Sequence, residues 1–209
     1  MPIEPLRVAV LISGGGTTLR NLVAHVDQGK LAAQIPLVIS SHPLAAGLEF
    51  ARTRGLPTAL FTRGEFNSTA SFSDAIFDAC RAVEPHVVAL AGFLKRLRIP
   101  PDFINRVMNI HPALLPAFGG RGFYGLHVHQ AVLDYGVKIT GCTVHFVDDE
   151  YDHGPIILQK AGPVLEDDTP ETLAARVFAA ECEAYPQALR LYAEGRLEVR
   201  GRRVHVRPT

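Results

Sequence analysis

The fold of this chain is decided by residues 7–19, which read RVAVLISGGGTTL. The continuous aliphatic and β-branched run at its start is typical of a parallel strand buried on both faces. Three glycines break the run, and apolar residues then recur at helical spacing until Gly29, where a glycine is expected to end the helix. A strand, a glycine turn and a helix in this order predict the first unit of an α/β fold.

The same alternation of strand and helix continues through the rest of the first half. Further strands are predicted over residues 35–40, 58–61, 87–91 and 107–110, with helices over 45–54 and 72–80. We therefore predict an α/β fold with a doubly wound, mainly parallel sheet and helices on both faces.

The second half of the chain begins with a loop over residues 112–125 that is rich in proline and glycine. The later elements are predicted to be a helix over 128–134, strands over 140–147 and 156–161, a long helix after Thr169, and a charged C-terminal hairpin around 200–202. The alternation over 140–147 predicts a half-exposed strand. We predict a single domain over 1–209, with an N-terminal half of about 1–105 and a C-terminal half of about 106–209.

Composition excludes several classes of protein. Among 209 residues, 47% are hydrophobic, so the chain is not disordered. The 21 basic residues balance 21 acidic ones, which argues against a nucleic-acid or anionic-membrane partner. No apolar stretch is long enough to span a bilayer, and the N-terminus has no signal-peptide pattern, so we expect a cytoplasmic protein. The three scattered cysteines predict buried thiols and no metal site.

The glycine turn is the first candidate binding feature. Gly16, Thr17 and Thr18 open a predicted helix, where backbone N–H groups can hold a phosphate. The third glycine of a dinucleotide fingerprint is replaced by Leu19, and no acid ends the second strand. The turn therefore indicates either a generic anion cradle or a tight turn with a purely structural role.

Polar side chains that suit catalysis lie at the end of the strand over 107–110. Asn109 and His111 are two residues apart and project to one side at the carboxyl end of the strand. An amide and an imidazole there suit a carbonyl oxygen that becomes an oxyanion, although a capping Asn and a structural His remain open. The acidic run 148–152 is either a solvated turn or the source of a carboxylate that orients His111.

Taken together, these residues resemble the phosphoribosylglycinamide formyltransferase family. The segments that carry the resemblance are VAVLISGGGTTL (8–19), AGF (91–93), NIHPALLP (109–116), GCTVHFV (141–147), DHGPIILQ (152–159) and ECEAYP (181–186). The resemblance implies a formyltransferase fold and transfer of the formyl group of 10-formyltetrahydrofolate to the amine of glycinamide ribonucleotide, in purine biosynthesis and without a metal.

The resemblance also implies roles for individual residues. Asn109 and a protonated His111 would donate hydrogen bonds to the oxyanion, and Asp152 would favour the imidazolium and help to carry the amine's proton away. The ribonucleotide would be bound by Gly16, Thr17, Thr18 and Glu181. The folate would be bound by Leu94, Lys95, Arg96, Leu97, Asp148, Asp149, Glu150 and Tyr151.

Departures from the family pattern affect binding more than chemistry. The turn reads GGGTTL where the family has GNGSNL, and the loop over 117–125 is longer, which predicts a mobile flap over the site. Formyltetrahydrofolate deformylase and a non-catalytic folate-binding module remain the alternatives. Methionyl-tRNA formyltransferase is disfavoured, because it carries an additional tRNA-binding domain. The formal net charge of this chain is zero, which does not suit tRNA. The sequence leaves open whether the chain forms a homodimer.

Overall fold

The structure is a computed structural model that describes residues 4–208. This part of the chain forms nine strands and five α-helices. Their bounds are β1 Leu6–Ile12, α1 Thr17–Asp27, β2 Ala33–Ser40, α2 Ala46–Thr53, β3 Thr58–Leu60, α3 Thr69–Arg81, β4 Val87–Leu90, β5 Val107–His111, α4 Leu126–Tyr135, β6 Ile139–Phe146, β7 Ile156–Pro163, α5 Pro170–Ala193, β8 Leu197–Arg200 and β9 Arg203–Val206. All of the predicted elements are present, and the chain divides into two compact units, Met1–Met108 and Asn109–Thr209.

The first unit is built around a parallel sheet with the strand order β3-β2-β1-β4. Strand β1 pairs in parallel with both β2 and β4, and β2 pairs in parallel with β3. The side chains of β1 from Val8 to Ile12 are almost completely buried, as predicted for a strand covered on both faces. Because the strand order reverses beside β1, the carboxyl ends of β1 and β4 flank the crevice where open α/β sheets bind ligands.

The second unit contains the end of β5 and the strands in the order β6-β7-β9-β8. Strands β6 and β7 are antiparallel, and helix α5 packs against both. The prediction that β6 is half-exposed was wrong, since its residues after Ile139 are all buried. Its polar residues tolerate burial because they are hydrogen-bonded: the Thr143 hydroxyl donates to the Ala113 carbonyl, and the His145 ring to the Phe146 carbonyl.

The cysteines differ in exposure. Cys80 and Cys142 are buried as predicted, and burial raises the pKa of each thiol to about 12, so neither forms a thiolate near pH 7. Cys182 is only partly buried, so the prediction was wrong for this residue. No helix within residues 4–208 is both long and apolar enough to cross a membrane.

Replacing Gly141 by Ala is expected to destabilise the second unit by about 3 kcal/mol or more. A Cβ atom there would overlap the backbone carbonyl of Lys160 on the neighbouring strand, and a backbone in a sheet cannot move aside. The measurement is the midpoint of urea unfolding at unchanged slope. Gly162→Ala is the matched control, because a Cβ atom at this glycine of β7 meets no atom within 4 Å. Equal midpoints for the two variants would contradict the prediction.

Candidate active site

Three polar side chains from two elements meet in the second unit. Asn109 and His111 project from the end of β5, and Asp152 lies in the loop between β6 and β7. Asn109 Nδ2 lies 3.4 Å from Asp152 Oδ1, and His111 Nδ1 lies 3.5 Å from Asp152 Oδ2. The side chain of His111 is only 3% exposed and that of Asp152 only 12%. The structure therefore brings together the three residues to which the resemblance gives catalytic roles.

His145 is a fourth member of this cluster that the sequence reasoning missed. Its Nδ1 lies 2.8 Å from the Phe146 carbonyl and its Nε2 lies 3.2 Å from Asn109 Nδ2. This arrangement assigns the proton to Nδ1, so that Nε2 accepts a hydrogen bond from the Asn109 amide. His145 Nε2 is also 3.8 Å from Asp152 Oδ1. The signal was present in the alternation of β6, which places Thr143 and His145 on one side of the strand.

The loop that follows β5 returns to cover this cluster. His111 Nε2 lies 2.8 Å from the carbonyl oxygen of Phe118, so this nitrogen carries the proton and donates. The backbone N–H of Gly120 donates to Asp152 Oδ2 at 2.9 Å. The glycine-rich segment is therefore in direct contact with two of the three predicted catalytic residues, while its mobility stays a prediction.

A buried hydrogen-bond network holds the first residues of that loop. The Leu115 N–H donates to Thr143 Oγ1 at 3.0 Å, and the Thr143 hydroxyl donates to the Ala113 carbonyl at 2.7 Å. The side-chain amide of Gln159 donates to the Leu115 carbonyl at 3.0 Å. Because Ala113 and Leu115 lie shortly after His111, β6 and β7 together fix the chain where it leaves β5.

The electrostatics of the cluster favour an anionic carboxylate beside a neutral imidazole. Burial alone would raise the pKa of Asp152, but the polar groups around it, namely His145, His111 and the Gly120 N–H, together lower it below its ordinary value. Burial lowers the pKa of His111, and Asp152 and the Phe118 carbonyl oppose this shift without overcoming it. The resting imidazole of His111 is therefore mostly neutral near pH 7.

In the first unit, the glycine turn leads directly into α1. Gly16 has a φ of +73°, and a Cβ atom there would lie 2.5 Å from the Cα of Gly47 at the start of α2. Glycine is thus required for structural reasons at this position. Within the described chain no side chain caps α1, so the N–H groups of its first turn have no capping side chain as an acceptor. Thr17 is exposed at this end, whereas Thr18 is buried.

Ser13 connects the turn to the first predicted folate segment. Its hydroxyl accepts a hydrogen bond from the Leu94 N–H at 2.9 Å and lies 2.6 Å from the Ser41 hydroxyl. Leu94 is half-exposed and Leu97 is buried, whereas Lys95 and Arg96 are exposed. The residues of this segment thus face different environments, with Leu97 in the core.

The remaining predicted ligand-binding residues lie in the second unit. Asp148 is partly buried, and the three residues after it are exposed. Glu181 lies on α5 and is partly buried, and the desolvation of its carboxyl raises its pKa to about 7. Within residues 4–208, no group of three His, Cys, Asp or Glu side chains is arranged to hold a metal ion.

Comparison with known proteins identifies the family. Residues 6–189 match the family model described as formyl transferase, so the chain belongs to the formyl transferase family. It is 35% identical to phosphoribosylglycinamide formyltransferase from Haemophilus influenzae, over 93% of this chain and 90% of that protein. The crystal structure of glycinamide ribonucleotide transformylase 1 from Symbiobacterium toebii superposes with a TM-score of 0.91 at 41% identity, covering 98% of this chain and 95% of that one.

A third relative is much longer. The chain is 42% identical to the trifunctional purine biosynthetic protein adenosine-3 from Bos taurus, over 90% of this chain but only 18% of that protein. These similarities confirm both the predicted fold and the resemblance to phosphoribosylglycinamide formyltransferases.

Proposed function

We propose that this protein transfers the formyl group of 10-formyltetrahydrofolate to the amine of glycinamide ribonucleotide, in purine biosynthesis. The observation that carries the proposal is the contact of Asn109 and His111 with Asp152 in a buried cluster of a formyl transferase. The amine attacks the formyl carbon directly, a C–N bond forms, and the bond to the folate nitrogen breaks. The protein must therefore stabilise one oxyanion and move one proton.

Asn109 supplies a donor for the oxyanion. Its side-chain amide has two N–H groups, and its two acceptors, His145 Nε2 and Asp152 Oδ1, lie only 3.8 Å apart. One N–H can be shared between them, which leaves the other for the oxygen of the formyl group. A preorganised donor in a site that excludes water contributes a few kcal/mol to such a transition state.

His111 and Asp152 handle the proton. The neutral imidazole presents the lone pair of Nδ1 towards Asp152, so it can accept the amine's proton directly or through water. The imidazolium that results is stabilised by the ionised Asp152 and donates to the oxyanion. The proton leaves on the folate nitrogen, which restores the neutral imidazole. Donation from Nε2 to the substrate requires the Phe118 carbonyl to release it, so movement of the loop would accompany binding.

The ribonucleotide is bound through its phosphate and its sugar or amide part. The N–H groups of Gly16, Thr17 and Thr18 at the start of α1 hold the phosphate, and the positive end of the helix dipole favours the anion. Glu181 accepts hydrogen bonds from the sugar or amide part. The folate is assigned to Leu94–Leu97 and Asp148–Tyr151. A cytoplasmic location and the absence of nucleic-acid and membrane partners stay predictions.

Replacing Glu181 by Gln is expected to raise KM for the ribonucleotide about tenfold at pH 8. With a pKa of about 7, Glu181 is mostly ionised at pH 8 and mostly neutral at pH 6, and a carboxylate accepts hydrogen bonds more strongly. KM of the native protein should therefore fall as the pH rises through about 7. The Glu181→Gln variant should lack this fall in KM with rising pH, whereas Glu183→Gln on the same helix should keep the fall. Equal KM values for the native protein and Glu181→Gln at pH 8 would remove Glu181 from the site.

One assay tests the function itself. The protein is supplied with 10-formyltetrahydrofolate, with and without glycinamide ribonucleotide, and formation of tetrahydrofolate is followed. Turnover that depends on the ribonucleotide is expected. Equal turnover without it would identify a deformylase, and no turnover in either case would favour a folate-binding module.

A further inference from the structure

The loop over residues 147–155 positions the carboxylate of Asp152. It connects β6 to β7, and Asp152 itself has a left-handed φ of 54°, a conformation that a residue with a side chain rarely adopts. On its inner side the loop is held by Asp152, which accepts from the Gly120 N–H and contacts the Asn109 amide. A loop that contains such a conformation keeps it only where the surroundings restrain it.

The outer side of this loop is held by the C-terminal hairpin of β8 and β9. Strand β9 pairs with β7 at Arg203 and Ile156, which places the turn of the hairpin beside the loop. From this turn, Arg202 Nη2 donates to the backbone carbonyl of His153 at 2.6 Å, and Nη1 lies 2.9 Å from His153 Nε2. One guanidinium thus contacts both the backbone and the ring of the residue that follows Asp152.

The contact continues from His153 to the start of the loop. His153 Nδ1 lies 2.7 Å from Asp148 Oδ2, and Asp148 Oδ1 accepts from the Glu150 N–H at 2.9 Å. A guanidinium can only donate, so His153 Nε2 must accept and Nδ1 must carry the proton that is donated to Asp148. Arg202, His153 and Asp148 therefore form an ordered chain of hydrogen bonds that joins both ends of the loop, and we call it the hairpin clamp.

We propose that Arg202 is a positioning residue for formyl transfer, which through the hairpin clamp holds the loop so that Asp152 stays against His111 and Asn109. This inference rests on the proposed function of that cluster. Arg202 does not touch the reacting atoms in this proposal and acts through the backbone of His153. The sequence predicted only a charged hairpin at this position.

The kinetic test compares Arg202→Ala with Arg200→Ala. Arg200 lies on the same hairpin and pairs with Glu198. Arg200→Ala therefore serves as the matched control, because it also removes one exposed arginine. Arg202→Ala is expected to lower kcat about tenfold, since a displaced catalytic group loses rate steeply with distance. KM for the ribonucleotide and Tm should match those of Arg200→Ala. Arg202→Lys should recover only part of kcat, because an ammonium cannot contact the carbonyl and the ring in the same two-point geometry. Equal kcat values for the two alanine variants would overturn the proposal.

A second measurement does not depend on activity. Amide hydrogen exchange over residues 148–154 is expected to become faster in Arg202→Ala than in Arg200→Ala. The double variant Arg202→Ala/His153→Ala should lose no more kcat than either single variant, since both break the same clamp. Unchanged exchange in this loop, or fully additive kinetic losses, would overturn the clamp. If the native protein does not transfer the formyl group, the proposed function is overturned. The exchange experiment would still test the hairpin clamp, because it does not depend on activity.

Discussion

Replacing His111 by Asn is expected to lower kcat by a factor on the order of 10² or more, with KM for both substrates largely kept. Asparagine can still donate a hydrogen bond from a side chain of similar reach, but it cannot accept the amine's proton near pH 7. Steady-state formation of tetrahydrofolate measures the loss. His205→Asn is the control, because His205 is an exposed residue of β9.

The pH dependence gives the His111 prediction a second readout. Burial lowers the pKa of His111 below its ordinary value of 6.5, so the native imidazole is mostly neutral at pH 7. A protonated imidazole cannot act as the base, so the native kcat should fall as the pH falls through this pKa. The His111→Asn variant should lack that fall. A near-native rate, or an unchanged acid limb, would remove His111 from the mechanism.

Replacing Asp152 by Asn should also lower kcat by a factor on the order of 10² or more, for a different reason. The substitution keeps the shape of the side chain but removes the charge that raises the pKa of His111 and stabilises the imidazolium. Part of the hydrogen bonding to the Gly120 N–H survives through the remaining amide oxygen. The acid limb of the residual activity should therefore shift to lower pH.

Asp134→Asn provides the matched control for this variant. Asp134 is an exposed carboxylate at the end of α4 that accepts a hydrogen bond from Gln130, within the same unit. Its replacement should leave kcat unchanged. If Asp152→Asn retained a rate close to that of Asp134→Asn, the ionised carboxylate would not be needed for the reaction.

Much of the fold was predictable because short-range patterns reflect it directly. The aliphatic run of β1 is buried as expected, and Gly16, which immediately precedes α1, lies in the left-handed conformation that favours glycine. The alternation in β6 was misleading, because Thr143 and His145 are polar but hydrogen-bonded inside the unit. A sequence records the polarity of a residue and not whether its hydrogen bonds are satisfied in the interior.

The candidate site was predictable only in part. Asn109 and His111 are two positions apart on one strand, so their proximity follows from strand geometry. Asp152 was assigned through the resemblance, because no local pattern measures its distance to Asn109, which is 43 positions away. His145 and the backbone groups of Phe118 and Gly120 were missed, since a carbonyl or an N–H group leaves no mark in the sequence.

By itself, the sequence determined the order of strands and helices, the family resemblance and the residue types available for an oxyanion and a proton. Only the tertiary structure decided the state of those residues. Burial makes the resting His111 neutral in spite of Asp152, and the hairpin places Arg202 against His153. The physical reason is that desolvation and hydrogen-bond geometry depend on which distant segments pack together, whereas propensity and periodicity depend on neighbours along the chain.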